Sequence, residues 1–497
     1  MSDWLKNIIE KVKDLSSSID KYREETVIQS LPSYTFVNRA KALIEKGQYK
    51  QAEEVLHKAL ELPQKDALVY KYLGAVYEKL GKFEECVEAY QTSAEISPQD
   101  KIIWQRLGFA LVTIGKYENA IKSFENANKI QPNNSDTFTG WGMALMKQGE
   151  FALAQAKFME ASKANKYNFT AVFLGSVMDI KLGMYDKAEM KLSFLANVCP
   201  NANNTFEYAR LKALKDDLDS AIHYAKKSIG FYEKMMPAYI LLGQLYTEKF
   251  DFENMNQAFS DAEKLGLGNA VLYFEWGKCF EKFNKLDKAK TKLLKALELD
   301  AESVEIQTFL AFCCAECGEI EEAKTLLEKN KEKNQKDKLV PKVYAIIAYE
   351  TGDIQSAIEY FRSDDENCTN AYYLAKCYEK QSNDTKVKEY FETAIRLNPH
   401  YIKAFADYAK YLIQQNDFLE AQRKLRKALK SEPENIVMLN LMFYVSYVLV
   451  KANVCEYNIK ETISYAETIE KIAPELFEYP EQKLELEKLL ADFSERE

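Results

Sequence analysis

Residues 101–134 read KIIWQRLGFALVTIGKYENAIKSFENANKIQPNN. In the first half of this stretch, apolar and small residues recur at i, i+3, i+4 and i+7, as on one face of an amphipathic helix: Trp104, Leu107, Gly108 and Leu111. Gly115 ends that pattern. A second helical face follows and stops before Pro132: Ala120, Phe124 and Ala127. The stretch therefore predicts two helices joined by a short turn.

The same residue types recur on either side with a period of 34 residues. One set is glycine: Gly74, Gly108 and Gly142. Another set is aromatic: Tyr90, Phe124 and Phe158. A fixed period of this length is typical of stacked-repeat proteins, in which one helix pair recurs and neighbouring copies bury one another's apolar faces.

The repeated pattern resembles the tetratricopeptide repeat, whose Trp-Leu-Gly-Tyr, Ala, Phe/Tyr, Ala and Pro positions have this spacing. Twelve recognisable units and a degenerate thirteenth cover residues 33 to about 472. The resemblance implies an all-α fold, a right-handed superhelical solenoid of stacked antiparallel helix pairs. We expect Gly108 and Ala120 where the two helices of a pair cross, and Phe124 in the space towards the next pair.

The predicted organisation has five segments. Residues 1–32 form an N-terminal amphipathic helix or cap, residues 33–201 hold units one to five, and residues 202–335 hold units six to nine, of which the sixth is degenerate. Residues 336–472 hold units ten to thirteen, with an insertion near residues 451–458, and residues 473–497 form an acidic capping helix. The irregular stretches 202–235 and 329–338 are where we expect the superhelix to bend or flex.

Composition narrows the class of protein. Hydrophobic residues make up 47% of the chain and charged residues 29%, as in ordinary folded proteins. The net charge is −9 and no basic block stands out, so nucleic acid is not expected as a partner. The nine cysteines lie at helical positions, no secretion signal is recognisable, and no apolar run is long enough to cross a bilayer. These features predict a cytoplasmic protein.

No motif of an enzyme is present. The chain lacks a Gly-x-Ser-x-Gly elbow, a His-Glu-x-x-His zinc motif and a Walker phosphate loop, and its three histidines fall in different repeats: His57, His223 and His400. Cys314 and Cys317 have the spacing of half a zinc or redox site, but no second pair lies nearby. Cys314 also takes an apolar position of the repeat, where a small buried residue is expected. We therefore predict no catalytic residue, no cofactor and no metal.

In tetratricopeptide arrays the first helix of each unit lines the concave face, so the resemblance implies a groove built from these helices. From the third to the fifth unit its positions are apolar: Phe109, Val112, Met143, Met146, Phe173, Val177 and Ile180. Large exposed apolar patches usually mark binding sites, and Met adapts to varied partners. The alternative is that curvature lets neighbouring helices bury these residues. Some family members bind the acidic tails of chaperones with a carboxylate clamp of Lys, Asn and Arg. The full clamp is not present in this chain, where the equivalent residues are Asn38, Lys41, Lys71, Tyr72, Gln105 and Arg106.

The N-terminal segment carries an apolar stripe opposite charged residues: Trp4, Leu5, Ile8, Ile9, Val12, Leu15 and Ile19. Three interpretations are open. The segment caps the first repeat, anchors at a membrane surface, or docks in a groove of this chain or a neighbour.

The leading functional hypothesis is a non-enzymatic scaffold that binds a peptide or helix segment of an unidentified protein in the concave groove. The alternative is a structural subunit of a multiprotein complex that uses convex and edge surfaces without a dedicated peptide site. An enzyme on a repeat scaffold is disfavoured, because nearly every segment is already explained as repeat or cap.

Overall fold

The computed structural model describes residues 33–62, 65–329, 339–364, 367–453 and 455–494, and this part of the chain contains 27 α-helices and no strand. Within each of the two compact units described below, each helix packs against the next along the chain, and most connections have only a few residues, so successive helices run antiparallel. The prediction of an all-α stack of helix pairs is confirmed. The predicted N-terminal helix and most of the irregular stretch at 329–338 lie outside the described residues.

The chain forms two compact units, residues 1–231 and residues 232–497. The predicted grouping of the repeats into five segments stays a prediction. The helices of the first unit are α1 (Tyr34–Glu45), α2 (Tyr49–Leu60), α3 (Ala67–Leu80), α4 (Phe83–Ile96), α5 (Lys101–Thr113), α6 (Tyr117–Ile130), α7 (Ser135–Gln148), α8 (Phe151–Ala164), α9 (Phe169–Lys181), α10 (Tyr185–Val198), α11 (Ala202–Leu214) and α12 (Leu218–Phe231).

The second unit continues the pairing and adds one final helix. Its helices are α13 (Met236–Glu248), α14 (Phe252–Lys264), α15 (Ala270–Lys282), α16 (Leu286–Leu299), α17 (Val304–Glu316), α18 (Ile320–Glu328), α19 (Leu339–Thr351), α20 (Ile354–Phe361), α21 (Cys368–Lys380), α22 (Asp384–Leu397), α23 (Ile402–Gln414), α24 (Phe418–Ser431), α25 (Ile436–Ala452), α26 (Glu456–Ile472) and α27 (Pro480–Ser494). In both units the first helix of a pair has an odd number and the second helix an even number.

The close approach of the two helices of a pair depends on glycine. A Cβ built on Gly108 of α5 would lie 2.7 Å from the Phe124 ring of α6, closer than real side chains come. The same ring reaches the next pair, where a Cβ on Gly140 of α7 would collide with it and would lie 2.8 Å from Phe109. The Phe124 ring therefore fills the space between successive pairs, as the sequence predicts.

The ends of the helices follow local sequence rules. Asp100 accepts a hydrogen bond from the backbone N–H of Ile102 at 2.8 Å and so caps the start of α5. Gly115 follows the end of that helix with φ of +78°, a conformation that glycine adopts without strain. At the equivalent turn of the second unit, between α13 and α14, Phe250 has φ of +53°, which is unusual for a bulky side chain.

The most degenerate segments still form helices. Residues 202–231, the poorest copy of the repeat, make the regular pair α11 and α12. The predicted insertion lengthens its pair, since α25 and α26 have 17 residues each, whereas most of the other helices have 13 or 14. After them α27 packs Leu486 against Phe443 and Ile463.

One polar residue that interrupts the apolar pattern is fully buried. Asp179 of α9 is 0% exposed, and its carboxylate accepts a hydrogen bond from Lys191 Nζ at 2.6 Å and another from Gln155 Nε2 at 3.1 Å. A buried carboxylate is tolerated when a charged partner and hydrogen bonds compensate its lost hydration. Side chains from both neighbouring helices, α8 and α10, supply that compensation.

Candidate functional site

The surface lined by the odd-numbered helices, here called the first-helix face, holds all seven predicted binding residues in the first unit. Six of them are half-buried, and Ile180 is 9% exposed. They cover three hydrophobic clusters and are packed against them: Phe109 and Val112 on the first, Met143, Met146 and Val177 on the second, and Phe173 and Ile180 on the third. Neighbouring helices therefore cover a large part of the stripe, and its six half-buried members leave part of their apolar surface exposed as an apolar rim.

Phe109 is the most embedded member of this stripe. Its ring meets the Phe124 ring edge-on with centroids 5.2 Å apart, and it lies against Gly140. The residue thus has a packing role between α5 and α7. Met146 and Val177 have no aromatic contact of this kind and are the better probes of the face.

Two basic residues beside the stripe are already paired. Lys71 Nζ lies 3.0 Å from Asp100, and Arg106 lies 3.5 Å from Glu78. Both occupy positions where a carboxylate clamp would need free cations.

In the second unit the first-helix face brings together groups that are far apart in sequence. Lys403 of α23 donates to Glu316 Oε2 of α17 at 3.1 Å, although the two residues are 87 positions apart and two helix pairs lie between them. First helices so widely separated along the stack meet only if their face curves inwards. This face of the second unit is therefore concave between α17 and α23.

The Lys403 ammonium lies in a pocket of aromatic faces and oxygen atoms, here called the Glu316 site, which consists of Glu316, Tyr372, Tyr373 and Lys403. Its Nζ lies 5.2 Å from the Tyr372 ring centroid and 5.6 Å from that of Tyr373, and it approaches the Glu316 main-chain carbonyl at 3.4 Å. The Tyr372 hydroxyl donates to Asp407 at 2.6 Å. The site offers a cation a carboxylate, two π faces and the C-terminal carbonyl of α17.

Two buried oxygen atoms at this place make no hydrogen bond to any described residue. One is Glu316 Oε1, whose side chain is only 4% exposed, and the other is Tyr401 Oη. Burial, and secondarily the charge of Glu316, holds the pKa of Tyr373 well above its ordinary value. The Glu316 carboxylate is thus buried with only one of its oxygens bonded.

Glu281 of α15 and Lys342 of α19 add charges nearby. Burial raises the pKa of Glu281, with a further rise from Glu316 and an opposing effect from Lys282 and Lys342. Burial lowers the pKa of Lys342. Its ammonium lies 3.4 Å from Asn367 Oδ1 and 5.0 Å from the Phe312 ring centroid. Each charge is held in a poorly solvated position.

A second contact between distant turns lies at Phe250 and His400. The two rings stack with centroids 3.7 Å apart and an angle of 17°. Phe283, Lys282 and Glu432 line the same small cavity. Burial lowers the pKa of His400, and the nearby Glu432 carboxylate partly opposes that effect. The unusual backbone of Phe250 is therefore tied to a contact that joins the α13–α14 turn to the α22–α23 turn.

The two cysteines of the Cys314–Cys317 pair differ in burial, and Cys314 takes the buried position that the repeat predicts. Cys314 is 1% exposed and Cys317 is exposed. Cys314 Sγ lies within 4.8 Å of carboxylate oxygens of Glu319 and Glu322. Burial raises the pKa of Cys314 to about 12, which keeps the thiol protonated. Glu319 is in turn engaged by Lys290 at 2.6 Å.

The side formed by the even-numbered helices is exposed and partly apolar in the first unit. Met190, Phe194 and Val198 stand four residues apart on one face of α10 and are 74%, 44% and 55% exposed. Within the described ranges, no helix combines the length and the apolar composition needed to cross a bilayer.

Sequence reasoning found the apolar stripe of the first unit and missed the Glu316 site. Tyr372 and Lys403 stand at the first-helix positions that correspond to those of the stripe. A search of these positions in the later units for charged and aromatic residues would have indicated both. The pairing of Lys403 with Glu316 depends on the curvature of the stack. No local pattern encodes it.

Two family models match the chain. One, described as the N-terminal TPR repeats region of Psidin, matches residues 42–198, and another, described as tetratricopeptide repeat, matches residues 282–347. Both are repeat families and neither is an enzyme family. No match was found among curated protein sequences.

Among solved structures, the chain is similar to a tetratricopeptide repeat protein from Parabacteroides merdae at 18% identity, over 50% of this chain and 98% of that one, with a TM-score of 0.42. It is similar to the Cut9–Hcn1 hetero-tetramer of the APC/C at 14% identity, over 96% and 98% of the chains, with a TM-score of 0.49. A third is YrrB, a TPR protein with an unusual peptide-binding site, at 22% identity over 37% and 96%, with a TM-score of 0.33.

Proposed function

Since both matching families are tetratricopeptide repeats, the chain is a TPR-repeat protein with many repeats, and from this premise we propose that it is a non-catalytic scaffold for protein–protein interaction. Proteins of this class generally mediate such interactions. The proposed location is cytoplasmic, and nucleic acid is not a proposed partner.

The proposed binding mode is a peptide or helix segment on the first-helix face of the first unit. The observation that supports it is the apolar rim from Val112 through Met146 to Val177, which is half-buried on its own helices. An apolar segment laid along that rim would bury the remaining surface, at about 25 cal/mol for each Å² removed from water. Met143 and Met146 give the rim side chains that adapt to different partners.

The test is capture of a partner from the native cell, with cross-links that locate the contact by residue. We expect Met146→Glu combined with Val177→Glu to abolish the cross-links to α7 and α9, because two carboxylates cannot be buried against an apolar segment. Met190→Glu is the matched control, since it places the same charge on the exposed side of α10. Circular dichroism checks that the double variant remains helical.

A structural subunit without a dedicated peptide site is the second candidate. The observation in its favour is the exposed apolar row of α10: Met190, Phe194 and Val198. Exposed apolar residues in one row are a common feature of interaction surfaces. If Met190→Glu removes the partner while Met146→Glu with Val177→Glu retains it, the second candidate replaces the first.

A further inference from the structure

The first-helix face of the second unit is buried where the corresponding face of the first unit reaches solvent. At the positions that correspond to the stripe, α17, α19 and α21 carry a row of large apolar and aromatic residues, here called the aromatic face: Phe312, Ile346, Tyr349 and Tyr372. None of the four is more than 7% exposed, whereas most members of the stripe of the first unit are half-buried. The second unit therefore keeps this face away from water.

A lysine of the next first helix lies over each aromatic ring of this face. The pairs, with the distance from Nζ to the ring centroid, are Lys342 on Phe312 at 5.0 Å, Lys380 on Tyr349 at 4.0 Å and Lys403 on Tyr372 at 5.2 Å. An ammonium group is attracted to the face of an aromatic ring. The three successive junctions from α17 to α23 are thus covered in the same way, by side chains of the unit itself.

Two further contacts join helix pairs that are not neighbours in the stack. Lys403 of α23 bonds Glu316 of α17 at 3.1 Å. The ring of His400, in the α22–α23 turn, stacks on the ring of Phe250, in the α13–α14 turn, with centroids 3.7 Å apart. Each contact spans several pairs, so each one resists uncurling of the second unit.

We propose that these two contacts form a latch, which holds the second unit curled and its aromatic face closed to any partner. A face of this composition has the character of a binding surface, and the latch withholds it. The closure is thus an autoinhibitory contact built into the stack. It lies in the other compact unit from the apolar rim and uses different residues, so it does not rest on the proposed function.

The backbone of Phe250 supports a specific role for the stacked pair. Phe250 has φ of +53°, and the other described residues with positive φ are Gly, Asn, Asp or Ser. Glycine and asparagine adopt this conformation readily, whereas a bulky side chain is strained in it. The stack on His400 is a contact that none of those smaller residues would make at this turn.

The latch is accessible to solvent, unlike the face that it closes. Phe250 is 39% exposed, and the Lys403 side chain is 27% exposed. Packing within a helix pair uses other residues, such as Phe259 against Gly243 in the α13–α14 pair. Opening of the latch therefore leaves the helix pairs folded, as in local opening of other proteins.

The experiment opens the latch and measures access to the aromatic face by hydroxyl-radical labelling of the full chain, read for each residue by mass spectrometry. Phe250→Asn removes the stacked ring and places a residue that tolerates positive φ, and Lys403→Gln removes the cation from Glu316. We expect the labelling rates of Tyr349 and Tyr372 in the double variant to rise about tenfold, which corresponds to about 1.4 kcal/mol in the equilibrium between the closed and open face.

Two controls separate opening from unfolding. The Phe259 ring lies inside a helix pair and should keep its wild-type labelling rate. Lys295→Gln removes an exposed ion pair of α16 outside the latch and should leave the labelling of both tyrosines unchanged. Binding of anilinonaphthalene sulfonate, a dye for exposed apolar surface, should increase in the double variant and stay unchanged in Lys295→Gln.

The proposal fails if Tyr349 and Tyr372 in the folded double variant are as protected as in the wild type, or if dye binding does not increase. A parallel rise at Phe259 would also overturn it, because the two contacts would then hold the fold as a whole and not a separate closed state. If the double variant does not fold, Phe250→Asn alone is judged by the same criteria, with a smaller rise expected because the ion pair remains.

Discussion

The first-helix faces of the two compact units are built from the same kind of helix pair and differ in chemistry. In the first unit the face is an apolar rim over hydrophobic clusters, with Met143 and Met146 at its centre. In the second unit the equivalent surface carries Lys403, Glu316 and Tyr372 in a buried polar arrangement. The difference shows which positions the architecture constrains and which it leaves free.

Positions where helices cross are constrained alike in both units. Gly108 faces the Phe124 ring in the first unit, and Gly243 faces the Phe259 ring in the second. Positions on the first-helix face carry half-buried apolar residues in the first unit and Lys403 and Tyr372 in the second, so the fold accepts either kind of residue there. The two units therefore share their packing and present different surfaces to a partner.

The largest expected effects come from two ion pairs with a buried carboxylate, Lys191 with Asp179 in the first unit and Lys403 with Glu316 in the second. Lys191→Met leaves Asp179 with Gln155 alone, and Lys403→Met leaves Glu316 with no bonded cation and only the more distant charge of Lys342. Loss of one partner of a buried pair costs about 3–5 kcal/mol. We expect the unfolding midpoint in urea to fall in both variants, and to fall further for Lys403→Met because Asp179 retains a hydrogen bond.

The control for this pair of variants is Lys295→Met. Lys295 lies 3.4 Å from Glu263 on the surface and is 47% exposed. Its removal should change the free energy of unfolding by no more than about 1 kcal/mol. If all three variants are equally stable, the buried ion pairs contribute no more to the free energy of unfolding than the exposed one does, which contradicts the prediction.

An intermediate effect is expected where one pair meets the next in the first unit. Gly140→Ala places a methyl group against the rings of Phe124 and Phe109, and overpacking of this kind costs about 1–3 kcal/mol. Gly230→Ala in α12 is the matched control, because a Cβ there meets nothing within 4 Å. It should stabilise the chain by about 0.5–1 kcal/mol through helix propensity. Thermal denaturation of both variants measures the two effects. If Gly230→Ala lowers the stability and Gly140→Ala does not, the close packing at Gly140 does not limit the size of the residue there.

The smallest effect concerns pH and belongs to the second unit. The pKa of His400 is lower in the folded protein than in the unfolded chain, so the unfolded chain binds more protons below the ordinary histidine value. Stability should therefore fall as the pH is lowered from about 7.5 through about 6.5, the ordinary histidine pKa. The His400 ring is surrounded by Phe250, Phe283, Lys282 and Glu432. Of these four residues, only Glu432 favours the protonated form of His400.

Urea unfolding at several pH values measures this dependence. His400→Gln should remove part of the slope. An unchanged slope in His400→Gln would show that other groups cause the loss of stability in acid.

The fold could be predicted from the sequence because the residues that pack between helices recur with a fixed period. Gly108 and Phe124 belong to that 34-residue period, and they lie where the two helices approach closely. The Glu316 site leaves no such trace, since its residues become neighbours only through the curvature of several pairs. Asp179 is an intermediate case: the sequence showed an acid in an apolar position, and only the structure showed that Lys191 and Gln155 compensate it.

The insertion of the Phe124 ring into the gap above Gly140 also restricts how this array can change in length. Thirty-four positions further on, Leu174 takes the place of Gly140 and Met143 takes the place of Phe109, and both pack in one cluster with the Phe158 ring. A junction therefore holds either a glycine beside two phenylalanine rings or a leucine beside one ring and a methionine. Excision of residues 135–168 would place Leu174 against both Phe124 and Phe109, so the fourth copy is not interchangeable with its neighbours.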